Sequence, residues 1–330
     1  MKRLSILTAS ASAAALLCAA APAEAQVDGA RVFLPLPKNT NIVTTQYLGG
    51  TANASWSNFT AVTPNVDIES DVYALAYTRV QPVFGRTIFW QGVIPAATID
   101  TGSSLPLPTD DSFVNGFGDP IVGATVNVFG APGMPAYEWL RDDVDLLVNV
   151  GVNVTLPIGT YDSDQSLNVG SNQWKGRFSA PIIKAFGPWV PGQRTTLEVT
   201  PSVTVFGDND DAPSGSISQD PLYSLEAHLT RDMTRDAWVS LDYTWLGGGE
   251  ETLTNDAGLI LNETDGLDAS LFGATVAYQI NDNLSLRLSH AQTLSESNDG
   301  FALEGSMTMV RLSWAWHDVL QRVDDFRNPM

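Results

Sequence analysis

The sequence predicts an all-β fold, an antiparallel up-and-down transmembrane β-barrel of about 12 strands. Three observations carry this expectation. One stretch alternates apolar and polar residues for about twice the usual strand length of 5–6 residues. The connections between strand-like segments alternate between long and short. Acidic residues gather in the long connections, and arginines gather near the short ones.

The alternation is clearest from Asp142 to Pro157. Val144, Leu146, Val148, Val150, Val152, Val154 and Leu156 form one string, and Asp143, Asp145, Leu147, Asn149, Gly151, Asn153 and Thr155 form the other. Successive side chains of a strand point to opposite faces, so one face is unbroken apolar and the other mostly polar. A tilted transmembrane strand needs about 9–11 residues with this repeat.

The chain opens with Lys2 and Arg3, an apolar run from Leu4 to Ala21, and Ala23-Glu24-Ala25 before Gln26. This is the grammar of a secretory leader, expected to be removed as residues 1–25. Cys18, the single cysteine, lies within it, so the mature chain is expected to form no disulfide, thiolate metal site or cysteine nucleophile. Loss of Lys2, Arg3 and Glu24 takes the 17 basic and 37 acidic residues from −20 to −21. Such a charge excludes nucleic acid as a partner, since phosphate contacts need Lys and Arg. After the leader no apolar run approaches the length of a helical span, so a membrane form must be a closed barrel.

In chain order the strand-like segments begin with a weak one, Asn41–Leu48, after a proline-punctuated lead (26–40) expected on the periplasmic side. Val66–Arg79, Arg86–Ala97, Gly118–Phe129 and the 142–157 stretch follow. Trp174–Phe186, Arg194–Phe206 and Pro221–Arg231 come next, then Ala237–Leu246, Asp268–Ile280, Leu284–Leu294 and Glu304–Trp316. The barrel is expected over 41–317, with a polar tail over 318–330.

Long connections are 49–65, 98–117, 158–173, 207–220, 247–267 and 295–303; the shorter ones are 80–85, 130–141, 187–193, 232–236 and 281–283. Outer-membrane barrels have short periplasmic turns and long external loops, whereas a Greek-key sandwich has no reason to alternate. Asp208, Asp210, Asp211 and Asp220, and then Glu250, Glu251, Asp256, Glu263 and Asp265, occupy two long connections that hold no Lys or Arg. Arg79, Arg86, Arg141, Arg194, Arg231 and Arg235 lie at the short-turn end. An acidic outer rim would attract divalent cations. Trp174, Trp245, Tyr278, Trp314 and Trp316 fall near strand ends on the apolar face, where an aromatic girdle would meet the lipid interfaces.

Several short motifs recur in order along the chain. They are Leu36-Pro37-x-Asn39-Thr40-Asn41, Gly116-Phe117-Gly118-Asp119-Pro120, Leu156-Pro157-x-Gly159-x-Tyr161-Asp162, Leu167-Asn168-x-Gly170-x-Asn172-x-Trp174, Gly187-Pro188-Trp189 and Asn281-Asp282-Asn283-Leu284. Together they resemble the outer-membrane barrel family named for the meta-pathway of phenol degradation, from Val32 to Trp316. The resemblance implies a bacterial outer-membrane channel passing small solutes by diffusion, aromatic catabolites among them, with no catalytic residue and no cofactor. The polar tail beyond Trp316 departs from the aromatic ending common in such barrels.

Chemistry-bearing residues are few. His228 shares inward parity with Glu226 and Thr230, but no His-Ser or paired-Asp signature accompanies it, so an ordinary lumen histidine is expected. Inward parity also places Asp145, Glu198, Glu226 and Asp242 on strands five, seven, eight and nine, and Arg287 and Arg311 on strands eleven and twelve. These six are the expected lumen constriction, with acids on one wall and arginines on the other. The rival readings are a barrel enzyme acting on lipid or protein, and a structural barrel whose charges pair and fill the lumen.

Overall fold

The computed structural model of the chain describes residues 28–53, 68–101, 112–135, 138, 143–165, 167–294 and 303–317. The expected leader, the tail, parts of four long connections and part of the 130–141 connection lie outside these residues.

Alternating residues produce strands wherever the repeat holds. The wall begins with β1 (Asn41–Ala52), β2 (Ile68–Val83) and β3 (Arg86–Asp100), followed by β4 (Phe113–Phe117), β5 (Ile121–Phe129) and β6 (Leu146–Thr155). β7 (Lys175–Ser179), β8 (Ile182–Phe186) and β9 (Thr195–Phe206) come next. Two short strands, β10 (Asn209–Ala212) and β11 (Gly215–Gln219), leave the wall before β12 (Leu222–Asp232) and β13 (Ala237–Gly248) resume it. β14 (Glu251–Thr254) and β15 (Ile260–Glu263) again leave it, and β16 (Leu267–Gln279), β17 (Leu284–Thr293) and β18 (Gly305–Trp316) complete it.

The weak first segment is the strand that closes the barrel. β1 pairs with β18 from Asn41↔Trp316 to Ala52↔Gly305, and with β2 from Asn41↔Arg79 to Ala52↔Ile68. The wall sheet has 14 strands, but β4 and β5 both pair with β3, and β7 and β8 both pair with β6 and β9. Each couple is one wall strand interrupted by a proline, which leaves twelve positions around the barrel. Proline lacks the N–H that a ladder needs. At Gly118-Asp119-Pro120 the ladder resumes through Gly118 N–H donating to Pro95 O at 2.9 Å. At Ala180-Pro181, Ala180 N–H donates to Pro201 O at 3.0 Å.

The predicted parity places apolar side chains outward. Leu241, Val276 and Leu288 are 54, 56 and 51% exposed in the isolated chain, while Glu226, Thr196 and Asn149 on the opposite parity are fully buried. A water-facing surface of this kind would forfeit about 25 cal/mol for each Å² of apolar area, and lipid removes that penalty. The 83–86 turn places both Phe84 and Gly85 at positive φ, 49° and 77°, as a tight two-residue hairpin turn requires.

Two long connections differ from the expectation of plain loops. β10, β11, β14 and β15 form a separate four-stranded sheet above the barrel. Its core is Ala212, Ile217 and Leu253.

The lipid-facing assignment of the apolar parity has a measurable consequence. Leu241→Arg, near the middle of β13, should destabilise the barrel in vesicles by about 2–4 kcal/mol. Denaturant titration should report that loss, and the unheated parent should run as a compact species in SDS.

Candidate functional site

The lumen holds the chain's own N-terminal segment. The prolines at 35 and 37 and the left-handed Asn39 (φ 69°) turn the chain inward just before β1. Lys38 N–H bonds Met134 O and Asn39 N–H bonds Val80 O, at 2.9 and 2.7 Å, anchoring the segment at the short-turn end. From there it runs back into the barrel, where Ala30 and Phe33 are buried. The expected periplasmic lead is therefore an internal element over its described residues. The reason is that its backbone and its charges find partners in the wall.

Those partners come from both sides. Glu226 Oε2 accepts from the N–H of Asp28 at 2.9 Å, and Glu198 Oε2 accepts from the N–H of Arg31 at 2.8 Å. Across the lumen, Arg287 Nη1 donates to Ala30 O at 2.6 Å, and Arg311 Nη1 donates to Asp28 O at 3.3 Å. The acids hold backbone donors and the arginines hold backbone acceptors. Side chains add ion pairs: Arg31 with Asp232, and Arg177 with both Asp28 and Glu226, each of the latter at 3.0 Å. Hydrogen bonds to charged groups contribute about 1.5–3 kcal/mol each. Burial pushes the Arg31 guanidinium below its ordinary value, and its bond to Asp232 opposes that shift.

Five of the six residues expected at the constriction meet around this segment: Glu198, Glu226, Asp242, Arg287 and Arg311. Their face-to-face arrangement across open water is not what the structure contains, because the segment lies between the two walls. Asp145 stands apart. It precedes the first residue of β6, its side chain is 80% exposed, and it pairs with Lys184. Parity alone aimed it inward, but the strand has not yet entered the wall there.

Asp242 reaches the segment only indirectly. Its Oδ1 lies 2.7 Å from His228 Nδ1, and the other ring nitrogen lies 3.5 Å from Glu226 Oε2. Ser240 and Thr275 also donate to Asp242. The histidine thus hydrogen-bonds one wall carboxylate and stands at ion-pair distance from a second, and among the described residues no hydroxyl is bonded to its ring.

Sequence reasoning missed Asp28, Arg31, Arg177 and Trp238. Arg177 and Trp238 follow the inward parity of their strands and could have been marked with the others. Trp238 lies beneath two guanidinium groups, with Arg31 4.7 Å and Arg287 5.1 Å from its ring centre. Beside the segment a cavity of about 760 Å³ remains, reaching from Gln46 and Arg177 to the short turns at Asp236 and Asp282.

The opposite mouth is built differently. Here the inward face becomes apolar: Leu48, Val72, Ala97, Leu246, Leu271 and Met307 pack together. The 158–173 connection folds over them and adds Val169 to the cluster. Asp119, at the β4–β5 interruption, pins that connection by accepting from Gly159 N–H at 2.8 Å and from Ser171 N–H and Oγ–H at 2.8 and 2.6 Å. A Cβ on Gly159 would stand 2.7 Å from the Gly118 carbonyl carbon, so only glycine allows the approach. The motifs around Asp119 and Gly159 noted in the sequence are thus the two halves of one clasp. Among the described residues no group of three His, Cys, Asp or Glu side chains could hold a metal ion.

If the wall acids hold the segment in place, their loss should free it. A cysteine introduced at Ala30 should react slowly with a maleimide in the parent barrel. In the Glu198→Ala/Glu226→Ala background it should react at least about tenfold faster, since arginines left unpaired in the interior are costly. Equal rates would place the hold elsewhere.

The solved structure of an outer membrane channel of the COG4313 group from Pseudomonas putida F1 shares this fold, with a TM-score of 0.69 at 18% identity over 88% of this chain and 100% of that one. The β-domain of the Bordetella autotransporter BrkA (TM-score 0.46, 10% identity, 83% and 98% coverage) shows a looser likeness. So does the toluene transporter TodX of Pseudomonas putida (0.41, 8%, 85% and 89%). No curated protein matches the sequence. The family described as "Putative MetA-pathway of phenol degradation" matches residues 49–312. The closed twelve-stranded wall with its lipid-facing belt, together with that match, makes this chain an outer-membrane β-barrel belonging to the MetA-pathway phenol degradation family.

Proposed function

We propose that the barrel is an outer-membrane channel that passes small solutes by diffusion along its N-terminal segment, with aromatic catabolites as its class of cargo. The observation that carries this reading is the cavity of about 760 Å³ beside the segment, continuous with the short-turn end. Its size falls within the range of about 300–1,000 Å³ common to small-molecule sites. The apolar cluster at the other mouth, roofed by the 158–173 connection, favours entry of apolar over hydrated solutes. The family's description supplies the aromatic class.

Under this reading Glu198, Glu226, Asp242, Arg287 and Arg311 form the narrow layer by holding the segment that narrows the lumen. Outer-membrane lipids cover the apolar belt, and divalent cations screen the acidic sheet and loops above the barrel. The short turns face the periplasm, following the rule for such barrels. Catalysis has no part in the proposal, since the ring nitrogens of His228 face Asp242 and Glu226 rather than a nucleophile.

Planar-bilayer recording tests it. The full-length barrel should conduct in small steps, and deletion of residues 28–36 should raise the step several-fold. Arg311→Glu and Asp242→Arg should shift the cation/anion ratio in opposite directions from one another. A barrel that neither conducts nor passes phenol into liposomes, with or without residues 28–36, would be a structural element rather than a channel.

A further inference from the structure

Arg287 and Arg311 stand directly opposite one another in the register of β17 and β18, with both side chains turned into the lumen. Like charges in that relation repel, and such pairs destabilise a sheet unless something neutralises them. Among the described residues no wall carboxylate pairs directly with either arginine, and Glu198, Glu226 and Asp242 act on them only from a longer distance. Three neighbouring cations do have a carboxylate: Arg31 has Asp232, Arg177 has Asp28 and Glu226, and Arg194 has Asp232. Arg287 meets only Ala30 O and the face of Trp238. Arg311 meets Gln46 Oε1, Asp28 O and the Met309 sulfur. Among the described residues neither forms an ion pair.

The three wall acids of the layer are already engaged, while Asp236 and Asp282 line the cavity at its short-turn mouth. Glu198 accepts from the Arg31 N–H and from Thr196, and Glu226 is bound by Arg177 and the Asp28 N–H. Asp242 is held by His228, Ser240 and Thr275. A third guanidinium is incompletely satisfied, since Nη2 of Arg31 is buried with no hydrogen-bond partner. Arg31, Arg287 and Arg311 all line the same cavity, and Trp238 lies between two of them. The wall next to β18 is mixed there: Ile42, Ala74, Ala76, Phe89 and Val93 line the cavity from β1, β2 and β3, interleaved with Thr44, Gln46, Thr78 and Gln91.

A cavity with an arginine pair that has no direct carboxylate partner, an indole and a partly apolar wall suits a ligand that carries both an anion and a flat ring. Guanidinium groups bind carboxylates by paired N–H donation, and they stack on aromatic faces. We infer that Arg287 and Arg311 form an anion subsite in the channel, and that the cavity accepts aromatic carboxylates, with the carboxylate on the arginine pair and the ring between Trp238 and the β1–β3 wall. This names a substrate class within the proposed channel and rests on that reading. The acidic sheet above the barrel does not oppose it, because the subsite lies toward the short-turn end and is separated from that sheet by the apolar cluster at the long-loop mouth.

Benzoate is the probe, and calorimetry on the full-length barrel in neutral detergent is the measurement. Benzamide keeps the ring without the charge, and acetate keeps the charge without the ring. Benzoate should bind at least about tenfold more tightly than either, with an affinity that falls as salt rises. Arg287→Gln and Arg311→Gln should each weaken benzoate by about tenfold and leave benzamide within about twofold. Benzoate equal to benzamide in the parent protein overturns the anion subsite, and benzoate equal to acetate overturns the aromatic class. Both comparisons use the parent alone, so they decide even if a variant fails to show the folded, heat-modifiable mobility. Flux of phenol into liposomes is read alongside. Flux without preferential benzoate binding leaves the channel standing and removes this inference, whereas benzoate binding without flux of any solute does the reverse.

Discussion

In hydrocarbon no water is available to pair with a peptide group, and each unsatisfied N–H or C=O costs several kcal/mol. The rest of this structure depends on that constraint. It makes the β1–β18 pairing obligatory, since those strands would otherwise expose two bare edges to lipid. It also explains where the wall can tolerate proline. Around Pro95 and Pro120, and again around Pro181 and Pro201, the ladder is broken, yet nearby donors still find carbonyls. Gly118 N–H reaches Pro95 O, Asn149 N–H reaches Pro181 O, and Ala180 N–H reaches Pro201 O.

Closure creates a second problem inside. A closed wall of alternating residues turns its polar parity into an enclosed lumen, where water screens charges poorly and an unpaired one is expensive. The N-terminal segment supplies the partners. A peptide backbone offers donors and acceptors together, so it can lie between a wall of acids and a wall of arginines and bond to both, while leaving the arginines without a paired carboxylate. Glu198 and Glu226 take its N–H groups, while Arg287 and Arg311 take its carbonyls. The filling is partial. The β1–β3 side of the lumen, whose inward residues there carry no charge, is left beside a cavity of about 760 Å³, and this asymmetry gives the channel reading its physical content.

The long-loop mouth follows different physics. There the inward parity switches from polar to apolar along the strands, so that on β13 the inward sequence Trp238, Ser240, Asp242 and Thr244 ends on Leu246. A single carboxylate, Asp119, sits where β4 gives way to β5 and fixes the infolded connection through three hydrogen bonds. The strand break thus has a positioning role, and three of the six short motifs of the sequence meet around it.

How much of this was legible depended on the range of the physics involved. The dyad repeat is local, since a residue's face is set by its neighbours two positions away. Strand positions, the lipid-facing belt, the alternation of connections and the inward direction of Glu198, Glu226, Asp242, Arg287 and Arg311 could therefore be read from sequence. Where an element began relative to the wall could not. Asp145 kept the correct parity but fell outside β6, and the interruption at Gly118-Asp119-Pro120 left β4 hidden within an expected connection. The 26–40 lead was the largest gap. Nothing in Val32-Phe33-Leu34-Pro35-Leu36-Pro37 distinguishes a periplasmic strap from a lumen segment. The sequence by itself determined a barrel with a charged interior, because periodicity is written residue by residue. Only the tertiary structure decided what fills that interior, because the backbone of Arg31 meets Glu198 across 167 residues and that of Asp28 meets Arg311 across 283, contacts between segments that closure of the barrel brings together.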